Sequence, residues 1–150
     1  AIHGLKVLDV GAPRTGTETI YNALRILGLK PLHSGCHPAA RKAPNGYLFG
    51  DLSFDPTMRM LEMYDAAMDE PFQLLYPEVL ERFPEAKFIL TMQPSPEAWY
   101  ESYLRHTLAM QRLLNVSMVQ KQTDAHLRGI RRHAEPLGLA NIPNVVGWKR

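Results

Sequence analysis

Gly11-Ala12-Pro13-Arg14-Thr15-Gly16-Thr17-Glu18-Thr19, entered directly from Leu5-Lys6-Val7-Leu8-Asp9-Val10, is the stretch that decides the fold. The upstream run is short and apolar, with β-branched residues, and it stops at Gly11 as a buried strand would. Two glycines and a proline then make a tight loop. Beyond it, Ile20, Ala23, Leu24 and Leu27 recur at helical spacing, and Gly28 stands where a helix C-cap belongs. Strand, glycine loop and helix together can cradle an anion. Backbone N–H groups turn inward where glycine lets the chain bend, and the helix N-terminus adds its dipole. Arg14 supplies a cation, and Thr15, Thr17 and Thr19 supply hydroxyls. The plainer reading is a glycine–proline turn capped by threonines; loop and context together favour the cradle. A Walker A loop would carry lysine after its second glycine. Here Thr17 follows Gly16, which disfavours ordinary ATP or GTP hydrolysis.

Outward from the loop, residues 30–56 are rich in Pro, Gly, His and Asn and read as loop, with one short element near Tyr47-Leu48-Phe49. Residues 58–68 have helical spacing and strong helix formers, broken by Asp69-Glu70-Pro71. A second helix is expected over 72–83, with Pro71 in its first turn. Residues 87–92 read as a second strand and 93–96 as a loop. Pro96 opens a helix carrying Trp99, Tyr100, Tyr103, Leu104 and Leu108, which runs with a break towards His133. Residues 141–148 suit a last strand. Strands joined by helices predict a parallel sheet in an α/β fold, a three-layer α/β/α architecture of the P-loop NTPase kind. In such sheets ligands sit beyond the carboxyl ends of the strands, where both the 11–17 and the 93–96 loops emerge.

The 150 residues fit one domain, and 45% hydrophobic with 21% charged residues exclude disorder as the main state. A net charge of +2 is too weak to argue for nucleic acid. The cluster Arg128, Arg131, Arg132, His133 reads first as a solvated face. A single cysteine, Cys36, excludes an intrachain disulfide and favours a reducing compartment. No apolar run approaches the ~20 residues a membrane span needs, and no signal peptide is visible, so the expectation is a cytoplasmic location. His33, Cys36 and His37 lie close together but lack a distant fourth ligand, so no metal is expected. Asn115-Val116-Ser117 fits a glycosylation triplet that arises often by chance. Trp99, Tyr100 and Tyr103 read as core or cofactor-edge packing rather than as a nucleic-acid stacking platform.

Four ordered blocks resemble one family. Gly11-Ala12-Pro13-Arg14-Thr15-Gly16-Thr17 is similar to the 5′-phosphosulfate loop of P-loop sulfotransferases, G-x-P-[RK]-[TS]-G-T-T. Asp65-Ala66-Ala67-Met68-Asp69-Glu70-Pro71 resembles a D-A-x-x-D-x-P stretch of the branch related to bacterial and protist members. Phe83-Pro84-Glu85-Ala86-Lys87-Phe88-Ile89-Leu90-Thr91 resembles a Y-P-D-A-K-x-I-L-T strand. Ser95-Pro96-Glu97-Ala98-Trp99-Tyr100-Glu101-Ser102 resembles an S-P-E-x-W-Y-E-S helix start. The likeness covers roughly residues 5–104, so the chain reads as one such domain, truncated or divergent after about residue 105.

The resemblance implies transfer of a sulfuryl group from 3′-phosphoadenylyl sulfate (PAPS) to a hydroxyl or amine of a small molecule or glycan. Arg14 would stabilise charge on the transferring group and the leaving phosphate. Gly11, Pro13, Thr15, Gly16, Thr17 and Thr19 would form the 5′-phosphate cradle, and Ser102 would meet the 3′-phosphate. Positioning and charge stabilisation would dominate, without a metal. The family usually has Thr or Ser where Glu18 stands, and Arg, gripping the 3′-phosphate, where Gln93 stands. Both departures weaken the grip on a polyanion. His33 and Asp69 are equal candidates for the general base; Asp69 could otherwise cap the helix near Pro71. Two other classes remain open: a degenerate, non-catalytic binding protein, favoured by Glu18 and Gln93, and a nucleotide kinase-like protein, disfavoured by the missing Walker lysine.

Overall fold

A computed structural model describes residues 4–113. Its centre is a four-stranded, all-parallel sheet in the order β2-β3-β1-β4. The strands are β1 (Val7–Asp9), β2 (Pro31–His33), β3 (Ala66–Met68) and β4 (Lys87–Ile89). The helices are α1 (Thr17–Ile26), α2 (Lys42–Phe49), α3 (Asp55–Leu61), α4 (Tyr76–Arg82) and α5 (Pro96–Leu113). Short 3₁₀ turns stand at Pro38–Arg41 and Phe72–Leu75. The expected strand 141–148, the basic cluster Arg128, Arg131, Arg132, His133 and the Asn115 triplet lie outside the described residues.

Alternation along the strands sorts the core into two layers. Leu8, Leu32 and Ala67 face one side, where Leu48, Leu61, Phe72, Leu75 and Val79 cover them. Ala66 and Met68 face the other, against Leu24, Ile20 and Tyr21 of α1. The fold is therefore α/β, with helices on both faces of a parallel sheet. No helix among the described residues is long and apolar enough to cross a membrane.

α1 starts at Thr17, earlier than the apolar spacing suggests. Gly16 takes a left-handed φ of 106° at the N-cap, so helical geometry begins at once and draws Thr17, Glu18 and Thr19 into the first turn. Its far end closes as a Schellman motif: Gly28 N–H donates to Arg25 O and Leu29 N–H to Leu24 O, both at 3.0 Å.

The 30–56 stretch is more ordered than its composition suggests. Pro31 opens β2, a wholly buried strand at one edge of the described sheet, where a missing N–H is tolerated. α2 accommodates Pro44 in its first turn and Gly46 where Leu52 packs closely; a Cβ there would lie 2.9 Å from Leu52 Cγ. The expected helix over 58–68 ends at Leu61, a turn follows, and the last three residues of that span are strand β3. Asp65 is the pivot. Its carbonyl accepts from Lys6 and Val7, its N–H donates to Lys30 O, and its carboxylate pairs with Lys6 Nζ at 2.7 Å. Ala66, Ala67 and Met68 then run between β2 and β1 with no exposed surface, so two-sided burial overrides their helix propensity. The single helix expected over 72–83 is a 3₁₀ turn followed by α4, because Pro77 has no N–H to bond back to residue 73.

Candidate active site

β1 passes to β2 over β3, and β3 passes to β4 over β1 in the opposite direction, so the chain reverses beside β1 and β3. That is where an open parallel sheet forms a ligand crevice at its carboxyl edge. A cavity of about 680 Å³ opens there. The β1–α1 loop contributes Pro13, Arg14, Gly16 and Thr17, and the first turn of α1 adds Glu18 and Thr19. His33 and Gly35 come from the end of β2, Asp69 and Glu70 from the end of β3, and Gln93 from beyond β4.

The loop is braced from behind. Buried Asp9 accepts the Gly11 N–H at 2.9 Å and the Thr91 hydroxyl at 3.1 Å. Thr15 Oγ1 donates to Ala12 O at 2.6 Å and sits 2.7 Å from Thr91 Oγ1. The Trp99 indole N–H donates to Pro13 O at 2.8 Å, and the Gln93 side-chain amide donates to Arg14 O. Carbonyls 12, 13 and 14 are thus all engaged. Arg14 itself sits at φ 71°, a left-handed conformation uncommon outside glycine. Gly11 is required by proximity, since a Cβ would stand 2.7 Å from the Thr91 carbonyl oxygen.

His33 is 7% exposed. Its Nε2 lies 3.1 Å from Thr17 Oγ1, and its Nδ1 accepts the Gly35 N–H at 3.0 Å. Burial, the largest influence, lowers its pKa; Asp69 and Glu18 oppose this and Arg41 and His37 assist it. Asp69 accepts the Ser34 hydroxyl on Oδ2 at 2.6 Å, with φ 69°. Its carbonyl takes the Phe72 N–H at 2.8 Å, while its carboxylate bonds the Ser34 hydroxyl instead of capping the downstream turn, and Asp69 lines the cavity.

Of the residues singled out in the sequence, Pro13, Arg14, Gly16, Thr17, Thr19, His33, Asp69, Gln93 and Ser102 all line this cavity. Gly11 and the Thr15 side chain stand behind the loop as structural supports. Gln93 both lines the cavity and holds the Arg14 carbonyl.

Sequence reasoning missed Arg41, Glu70, His106 and Thr107, while Tyr103, expected as core or cofactor-edge packing, lines the cavity. Ser102, Tyr103, His106, Thr107 and Met110 recur at helical spacing along one face of α5, so Ser102 alone would have pointed to the rest. Burial first, then Arg14, lowers the His106 pKa. Burial raises that of Tyr103, with Glu70 adding to it. Nothing local marks Arg41; the 3₁₀ turn after β2 brings it in. The wall holds the cations Arg14 and Arg41 against the carboxylates Glu18, Asp69 and Glu70. No cluster of His, Cys, Asp and Glu among the described residues is arranged to hold a metal ion.

A parallel α/β sheet whose first loop turns into a helix N-terminus at the reversal point sets backbone donors and a helix dipole at the mouth of the cavity. Residues 6–137 match the sulfotransferase domain family, and the chain belongs to it. The match continues well past the last of the resemblant motifs. Among curated proteins, the chain is similar to Ava biosynthesis cluster protein M of Aspergillus versicolor, 35% identical over 117 residues. That alignment takes in 69% of this chain and 43% of the relative's length, so the chain spans less than half of that relative.

Proposed function

We propose that this domain transfers a sulfuryl group from PAPS to a hydroxyl or amine of a small-molecule or glycan acceptor. The observation that carries the reading is the braced β1–α1 loop, which faces Arg14, Thr17 and Thr19 into the cavity that also receives Asp69 and Ser102. The residues fit the donor at its 5′ end: Gly16 is in open space, the following helix is 10 residues long, and two hydroxyls stand in its first turn. The cavity volume lies in the range of small-molecule sites. PAPS, when bound, supplies the sulfuryl group and leaves as 3′,5′-adenosine bisphosphate.

The chain's own part is charge and position. Arg14 neutralises charge that develops on the sulfuryl group and the departing phosphate as the S–O bond to phosphate breaks. Asp69 takes the acceptor's proton as the new bond to sulfur forms. Its Oδ2 is held by Ser34, and its Oδ1 makes no hydrogen bond among the described residues. Ser102 and Gln93 meet the 3′ end. One domain in a cytoplasmic setting, where Cys36 stays reduced, belongs to this reading.

The three carboxylates in the wall favour a second reading, a non-catalytic member that binds an anion weakly. Arg14→Ala separates the two. Transfer is expected to fall by roughly two to three orders of magnitude, the scale of one electrostatic stabiliser. Unchanged turnover in this variant refutes the assignment of Arg14. Absence of transfer in wild type with binding of 3′,5′-adenosine bisphosphate favours the non-catalytic reading.

A further inference from the structure

His33 and Thr17 form a hydrogen-bond chain whose direction is fixed by its first link. The Gly35 amide can only donate, and it points at His33 Nδ1 at 3.0 Å. Nδ1 must therefore carry a lone pair. The neutral ring then holds its proton on Nε2, which faces Thr17 Oγ1 at 3.1 Å. Burial favours the neutral ring, so this tautomer is the form present near pH 7. Thr17 Oγ1 thus accepts a hydrogen bond from His33 Nε2–H. The Thr17 hydroxyl makes no other hydrogen bond among the described residues, and Thr17 lines the cavity. Its own O–H is left to donate into the cavity.

Gly35 makes the arrangement possible. A Cβ there would lie 2.9 Å from His33 Cε1 and 3.1 Å from Nδ1, so a larger residue would push the amide off the ring. Tyr21 packs edge-on against the same ring, with centroids 5.7 Å apart.

We infer that His33 is a positioning residue that commits the Thr17 hydroxyl to donate a hydrogen bond to a phosphate or sulfate oxygen in the cavity. The inference rests on the loop being an anion cradle and on no particular transfer reaction. It also removes His33 from proton abstraction, because both ring nitrogens are engaged. Nδ1 can accept a proton only by giving up the Gly35 bond.

Long-range ¹H–¹⁵N correlation on ¹⁵N-histidine protein at pH 7.5, without ligand, reads the tautomer directly. An unprotonated His33 Nδ1 with a protonated Nε2 is expected; a protonated Nδ1 overturns the proposal. Calorimetry with 3′,5′-adenosine bisphosphate tests the second half. Thr17→Val and His33→Ala should each weaken binding by roughly ten- to a hundredfold, the scale of one hydrogen bond to a charged acceptor. The double variant should lose no more than Thr17→Val alone, and His33→Gln, whose amide can donate to Thr17, should recover part of the loss. Additive losses in the double variant overturn the proposal. If wild type fails to bind the bisphosphate, the PAPS reading falls, and the same spectra are recorded with inorganic phosphate. Movement of the His33 Nε2–H signal then supports the chain, and its absence overturns it.

Discussion

Gly11→Ala tests whether the loop is seated on β4 as the structure has it. The added methyl would stand 2.7 Å from the Thr91 main-chain oxygen and 2.8 Å from Thr15 Oγ1, on top of the Thr91 hydroxyl. A flexible side chain could step aside, but the Thr91 backbone is less free. β4 is registered to β1 from Val7↔Lys87 to Asp9↔Ile89, and Val10 N–H bonds to Ile89 O at 2.8 Å. Overpacking against fixed backbone costs about 1–3 kcal/mol. Displacing Thr91 also takes a partner from buried Asp9, a further ~1–3 kcal/mol. Against a total stability of about 5–15 kcal/mol, this is a large fraction. At about 2–4 °C per kcal/mol, Tm should fall on the order of 5–20 °C, read by scanning calorimetry. Gly16→Ala is the internal comparison. Nothing lies within 4 Å of its added methyl, so only the left-handed φ of 106° is penalised, and the loss should be about 1–2 kcal/mol. Adding Thr91→Ala to Gly11→Ala should recover part of the loss, because the carbonyl contact remains. A Gly11→Ala protein as stable as wild type, or no less stable than Gly16→Ala, would refute the seating of the loop.

Gln93→Met keeps length but cannot donate to the Arg14 carbonyl. Binding of 3′,5′-adenosine bisphosphate should weaken about two- to tenfold by calorimetry, and unaltered affinity would show that the brace is dispensable. Gln93→Arg can donate the same bond and adds a charge, so it should bind more tightly than wild type; weaker binding would contradict the charge argument. Stability should fall as pH drops below about 6.5, the ordinary histidine value. The folded His33 pKa is lowered, so in that window the unfolded chain takes up a proton that the folded chain refuses. The contribution is fully present above that pH and shrinks towards the folded pKa. Burial outweighs Asp69 and Glu18, which raise the pKa, and Arg41 and His37 add to the lowering. His33→Gln should flatten the acid side of the profile without abolishing its slope, since the His106 pKa is lowered as well; an unchanged profile would exclude His33 as a source.

The sequence by itself determined the features whose causes are local. Gly11 and Gly16 mark a backbone that must approach another strand or take a positive φ, and no other residue does this cheaply. Gly28 fixes the end of α1, and Ser95-Pro96 fixes the start of α5, where Ser95 Oγ accepts the Ala98 N–H at 3.2 Å. Strand, loop and helix at the N-terminus, and the strand after Ala86, were legible for the same reason.

Only the tertiary structure decided the middle of the chain. Pro31-Leu32-His33 and Ala66-Ala67-Met68 have no strand pattern of their own and become strands by pairing, the first with the second and the second also with β1, so that neither could be read alone. The site divides along the same line. Pro13, Arg14, Gly16, Thr17 and Thr19 were readable together because one loop-to-helix turn aims them. Arg41 and His106 come from elements that only the folded sheet brings to its carboxyl edge. The direction of the Gly35–His33–Thr17 chain is likewise a property of the fold. It depends on which nitrogen meets a backbone donor across a turn, and no residue type or spacing encodes that.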